Sequence, residues 1–204
     1  NVSPKGTAVL NAVDPNVASM ANKCKGSVIF FAADKFHPVM ATHRAQGQAV
    51  VYVENGCVVA AKGDVQHSIP LSEIPVTLGG AIGFQVDNVM ASVAAAWALG
   101  LDWRTIGNGL KSFSNDSHNA AGRFNLFQYR GATVIADYGH NPDAMLALVQ
   151  AVEALPANAA RWSSVAPATG VTRTFGSRPK SSATRSTKSS CLKTSASVDA
   201  RMAK

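Results

Sequence analysis

The stretch DYGHNPDA, Asp137 to Ala144, puts a carboxylate, an imidazole and an amide within five residues. It follows the apolar run ATVIA and leads into DAMLALVQAVEAL, so it lies where a strand ends and a helix begins. Open α/β sheets bind ligands at that place, and the free amides of a helix N-terminus favour phosphate. Asp137 can accept hydrogen bonds from a ribose, and His140 can contact a base or a phosphate. A plainer reading competes on equal terms: Asn141 caps the helix, Pro142 takes its first position, and the loop is solvated.

Two other positions can join such a site. In AAGRFN, Ala120 to Asn125, Arg123 follows a glycine. Its planar guanidinium can clamp a phosphate, although a surface arginine after a flexible glycine is commoner. In GFQVDNVMASVAAAWALG, Asn88 sits near the start of an apolar helix, where its amide can read an adenine edge or, more commonly, cap the first turn. His37 and His43 have no acidic or nucleophilic partner in pattern and are expected to be structural. Nor does the chain show a Ser-His-Asp or Cys-His arrangement. Cys24, Cys57 and Cys191 lack CxxC spacing, so idle thiols of a cytosolic protein are expected, with neither a disulfide framework nor a metal site.

The elements that must position these residues follow from pattern. TAVLNA and GSVIFFA are short, apolar and β-branched or aromatic, as buried strands of an α/β sheet are. AVVYVENGCVVAA reads as a hairpin about Asn55-Gly56, and HSIPLSEI as a further edge strand. A buried helix is predicted from Asp87 to Leu99, closed by Gly100, and a second from Asp102 to about Phe113. After the loop SNDSHNAAGR come a strand from Ala132 to Tyr138 and a helix from Asn141. A domain boundary is expected near residues 115–123. No apolar run reaches membrane-span length. The chain opens on NVSPKGTAVLNA without an initiator Met, as a cut end would.

GTAVLNAVDP, GFQVDNVMASVAAAWALGL, GRFN and DYGHNPDA, in this order and spacing, resemble the Mur ligase family of ATP-dependent amide-forming ligases over nearly all of residues 5–158. The resemblance implies an α/β fold: residues 1–121 are the end of the central ATPase domain, and 122–161 are the start of the C-terminal α/β domain. It also implies that Asn88 contacts adenine, Arg123 the nucleotide site between domains, and Asp137 a ribose, with His140 and Asn141 in the adjoining loop. The likeness is strongest to the branch that adds arginine to the aspartate side chains of a poly-aspartate reserve polymer. ATP, Mg²⁺, arginine and a polymer primer are therefore the implied cofactors and partners of a homo-oligomeric, cytoplasmic parent, with no membrane or nucleic-acid partner. The family's G-x-x-x-x-G-K-[ST] phosphate loop is not in this sequence and is expected upstream. Other readings are a Mur-type ligase of peptidoglycan or folate synthesis, and a non-enzymatic binding fragment with a basic arm.

That arm is the tail. Residues 1–162 carry eleven basic and eleven acidic side chains, whereas residues 163–204 carry eight and one, so the formal charge of +7 belongs to the tail alone. If each codon is rebuilt from the last base of one residue's codon and the first two of the next, Ala166 to Arg173 permits GAGDRRDE. Pro179 to Lys204 permits AEILGDAFDEVVLFEDKCQRGRADGE by the same shift. Both are ordinary α/β sequence. Residues 162–204 are thus expected to be a frame-displaced, disordered tail, with a natural polyanion-binding arm as the rival reading.

Overall fold

Three strands of consecutive apolar residues lie side by side: β1 (Thr7–Asn11), β2 (Ser27–Phe31) and β3 (Val50–Glu54), all parallel. The computed structural model that shows this describes residues 2–155, 159–165 and 172–179. Two antiparallel strands, β4 (Cys57–Lys62) and β5 (Val65–Pro70), complete a five-stranded sheet in the order β1-β2-β3-β4-β5. The β3–β4 hairpin turns on Asn55 and Gly56, with φ of 49° and 71°, the left-handed pair that matches strand twist.

Alternation along these strands sends side chains to two cores. Ile29, Val51, Val58, Ala60 and Ile69 meet α3 (Gly83–Ala98), which buries Val86, Val89, Met90, Val93 and Ala94 at helical spacing. Leu10, Phe30, Val50, Tyr52 and Val59 form the core on the other face, with Met40 from α2 (Pro38–Ala45) and Val17 from α1 (Pro15–Ser19) packed against them. The sheet is covered on both faces, as strands with no polar side require.

The helix α3 begins four residues earlier than the sequence pattern places it. Its first residue is Gly83 and no side chain caps it, so the usual start signals are missing, and the Ile82 carbonyl instead accepts from Gln85 and Val86. The next helix, α4 (Trp103–Ser112), starts where expected, with the Asp102 carboxylate taking the Thr105 N–H at 3.0 Å. His43 is structural, as expected: its Nε2 lies 3.1 Å from the Val28 carbonyl and its ring stands edge-on to Phe30. Cys24 and Cys57 are free thiols, and Cys191 lies outside the described residues.

Beyond α4 a second hairpin, β6 (Asn125–Tyr129) and β7 (Ala132–Ala136), turns on Arg130-Gly131, and α5 (Pro142–Ala154) follows it. The pattern had shown only the second of these strands and carried it two residues further, to Tyr138. Residues 1–156 group as one compact unit by their contacts, with the expected junction near residues 115–123 inside it. At that junction Phe124 is 2 % exposed, and its ring packs edge-on against Phe84 of α3 at 5.3 Å.

The second unit holds an antiparallel pair, β8 (Ala159–Val165) and β9 (Thr172–Pro179). Residues 162–165 and 172–179 of these strands fall in the tail expected to be frame-displaced and disordered. Trp162, Val165, Thr172, Thr174 and Phe175 are strand-forming types, which a count of charge and Ser content overlooks. Residues 180–204 lie outside the described residues.

Candidate nucleotide cleft

Within the first unit, the start of α3, the segment after α4 and the loop before α5 surround a cleft of about 500 Å³. Asn88, Arg123, Asp137, His140 and Asn141 all line it, although 53 positions separate the first from the last. Val76, Phe84, Phe113, Ala147 and Leu148 supply apolar wall, and Gln85, Asn115 and Tyr138 further polar groups. An aromatic and aliphatic slot with a few convergent polar groups is the ordinary make-up of a small-molecule site.

Each side chain is held in its own way. Asn88 is exposed, five residues past the start of α3, and donates to Gln85 Oε1 at 3.1 Å. It is therefore not a cap, because the helix begins earlier than its position suggests. Asn141 is one: its Oδ1 accepts the Ala144 N–H at 2.8 Å, with Pro142 at the first helical position. Asp137 is half-buried and uses both carboxylate oxygens on backbone, Oδ1 taking the Gly139 N–H at 2.6 Å and Oδ2 the Phe124 N–H at 2.9 Å. It thereby ties the end of β7 to the junction that carries Arg123.

At the rim, Tyr138 has a guanidinium on one side and an imidazole on another. Arg123 Cζ lies 5.8 Å from its ring centroid, and the His140 ring lies 5.4 Å away at 46°. His140 Nδ1 is 3.2 Å from the Tyr138 carbonyl oxygen. Cation–π contact at this range steadies an exposed arginine without neutralising it.

Sequence reasoning did not single out Gln85, Asn115 or Tyr138. Gln85 carried a faint signal, a polar residue in an apolar run with Asn88 three positions on, and in the fold it is buried and accepts from Asn88. Tyr138 stood inside the quoted motif. Asn115 carried none, because its partners lie eight and nine residues away in an irregular loop. Among the described residues, no group of three or more His, Cys, Asp or Glu is placed to hold a metal ion.

Comparison with known proteins bears on the second half of this cleft first. Residues 122–173 match the family model "Mur ligase, glutamate ligase domain". These residues are Mur ligase sequence. The match takes in Arg123 and the whole 137–141 loop, and it runs on past Trp162 into the basic tail.

Curated relatives reach further toward the N-terminus. The chain is 39 % identical over 150 residues to cyanophycin synthetase of Geminocystis herdmanii, covering 72 % of this chain and 17 % of that protein. Against cyanophycin synthetase of Synechocystis sp. it is 39 % identical over 143 residues, covering 69 % and 16 %. Against the UDP-N-acetylmuramoylalanine--D-glutamate ligase of Desulfitobacterium hafniense it is 31 % identical over 145 residues, covering 70 % and 28 %. The chain thus spans about a sixth of the length of the cyanophycin synthetases it matches. Its fold is similar to that of MurF from Acinetobacter baumannii, with a TM-score of 0.50 at 22 % identity over 76 % of this chain and 30 % of that one. The mixed α/β fold of a Mur ligase, read from the ordered motifs, stands.

Proposed function

We propose that the cleft is part of the nucleotide site of an ATP-dependent amide ligase that joins arginine to aspartate side-chain carboxylates of a cyanophycin primer. The carrying observation is the convergence of Asn88, Arg123, Asp137, His140 and Asn141 on one cleft of nucleoside size. Higher identity to cyanophycin synthetases than to the D-glutamate ligase supports arginine addition over peptidoglycan synthesis. In this reading the adenine lies against Phe84 with Asn88 at its edge, the ribose lies by Asp137 and His140, and Arg123 faces the phosphates.

Two steps compose the reaction. A primer carboxylate oxygen takes the γ-phosphoryl group of ATP, giving an acyl phosphate and ADP. The arginine amine then attacks the acyl carbon, loses a proton, and inorganic phosphate leaves as the amide forms. The demand on protein side chains is charge stabilisation, and an arginine at the cleft mouth meets it. Mg²⁺ is the usual companion of such phosphoryl transfer, but among the described residues Asp137 is the cleft's only carboxylate and both its oxygens already accept N–H bonds. The described residues do not build a Mg²⁺ site.

Arginine-dependent phosphate release, with ATP and primer, tests the reading in an enzyme that contains this segment. Arg123→Ala should lower turnover about tenfold or more, equivalent to about 1.4 kcal/mol of transition-state stabilisation. Unchanged turnover would sink the proposal. The 204-residue chain alone, which has no phosphate loop in its sequence, should show no arginine-dependent turnover.

A further inference from the structure

We propose that Asn115 and Asn125 are positioning residues that hold Arg123 at the cleft mouth for the anionic end of the bound ligand. The inference rests on the nucleotide reading for the ligand's class, and on geometry alone for the positioning.

All six backbone polar groups of residues 122–124 have partners, although Arg123 itself is exposed. The Gly122 N–H donates to Asn125 Oδ1 at 2.7 Å, and its carbonyl accepts from Tyr138 at 2.8 Å. The Arg123 N–H donates to the Ala120 carbonyl at 3.2 Å. Asn115 Nδ2 donates to the carbonyls of both Arg123 and Phe124, and the Phe124 N–H goes to Asp137. Behind them Asn125, 2 % exposed, completes its amide by donating to the carbonyls of Asn115 at 3.1 Å and Ala120 at 2.9 Å.

Exposed loops rarely need such complete satisfaction, because water serves as well. This one also holds a bulky residue in the left-handed region, Phe124 at φ 54°, beside Gly122 at φ 71°. For a phenylalanine that conformation is unfavourable and persists only where its surroundings over-determine it. Here they do, through Asn115, Asn125, Asp137 and the Phe84 ring. One side chain of the triplet is left unburied, Arg123, set against Tyr138 on the cleft rim. A rigid pedestal under a single cation spares that cation ordering entropy when it meets an anion.

The experiment uses the 204-residue chain and its Asn115→Ala, Asn115→Asp, Asn125→Ala and Arg123→Ala variants. In wild type, the Arg123 side-chain NMR signals should carry a ring-current shift from Tyr138. ATP should bind at least fivefold more tightly than adenosine. Each Asn variant should lose the ring-current shift and bring ATP down to within twofold of adenosine. Adding Arg123→Ala to an Asn variant should cause no further loss. Asn115→Ala removes the donor without adding charge, and Asn115→Asp keeps the shape but puts a charged acceptor in its place. Both leave buried Asn125 untouched, so the two together decide the matter even if Asn125→Ala does not fold.

Retention of the ring-current shift in both Asn115 variants would overturn the positioning role. Loss of the shift with the ATP preference intact would overturn the assignment of Arg123 to an anion. If wild type binds neither ATP nor adenosine, the nucleotide reading fails, and the shift still decides the positioning claim.

Discussion

The five-stranded sheet and the β6–β7 hairpin draw on the same residue types but end in different surroundings. Val50, Val51 and Tyr52 of β3 are 0 % exposed, whereas Phe127, Tyr129 and Val134 of the hairpin are 42 %, 59 % and 45 % exposed. Strand-forming side chains make a strand in either place. Only where helices cover both faces do they also make a core. The cleft lies at the seam, with one wall on α3, which the sheet anchors, and the other on α5 and the loop before it.

The largest test of that contrast is a matched pair of truncations. Met90→Ala, at a fully buried position of α3, should cost about 2–5 kcal/mol in denaturant unfolding. Leu146→Ala, at a position 58 % exposed on α5, should stay within about 0.5 kcal/mol. Equal losses would mean that α5 packs as tightly as α3.

Next comes the tie across the seam. Asp137→Ala removes the acceptor of two backbone N–H bonds and should cost roughly 1–3 kcal/mol by thermal unfolding. The loss should appear in amide exchange at Phe124 and Gly139 ahead of β1 to β5. Asn141→Ala, which takes the cap from α5, should cost about 1 kcal/mol and speed exchange at Ala144, leaving α3 unaffected.

Two exposed carboxylates, one at each end of α4, give the smallest effect. Hydrogen bonds from Thr105, first from its hydroxyl and then from its N–H, hold Asp102 below the ordinary carboxylate value. Asp116 is lowered as well, by the Ser114 hydroxyl and then by the Asn119 N–H. A carboxyl whose folded pKa is depressed adds stability above its unfolded pKa and loses it as pH falls through the folded value. Acid titration of Asp102→Asn and Asp116→Asn should therefore show each variant less stable than wild type near neutrality and the gap closing below the ordinary carboxylate pKa. A gap that widens in acid would contradict both assignments.

Trimming the chain after Arg161 probes the division after Pro156 from the other side. The transition of the first unit should move by no more than about 0.5 kcal/mol, since the frame-displaced reading gives no reason for selection to have packed that unit on the tail. A larger loss would return residues 162–204 to the protein as evolved sequence.

Features legible in the sequence were those whose causes lie within a few residues. Asn55-Gly56 forces a hairpin because two successive left-handed residues suit the twist, and Asp102 and Asn141 cap helices because their oxygens reach an N–H three residues on. The side chains proposed to line the nucleotide site were picked out by the types and order that carry the resemblance to Mur ligases. Their arrangement depended on packing between distant segments. Phe124 against Phe84 brings Arg123 and the 137–141 loop beside Asn88, and no periodicity records a contact forty residues apart. Only that packing turned Asp137 into an acceptor for the Phe124 backbone and gave Asn115 and Asn125 their work, because an amide's worth depends on which carbonyls the fold brings to it.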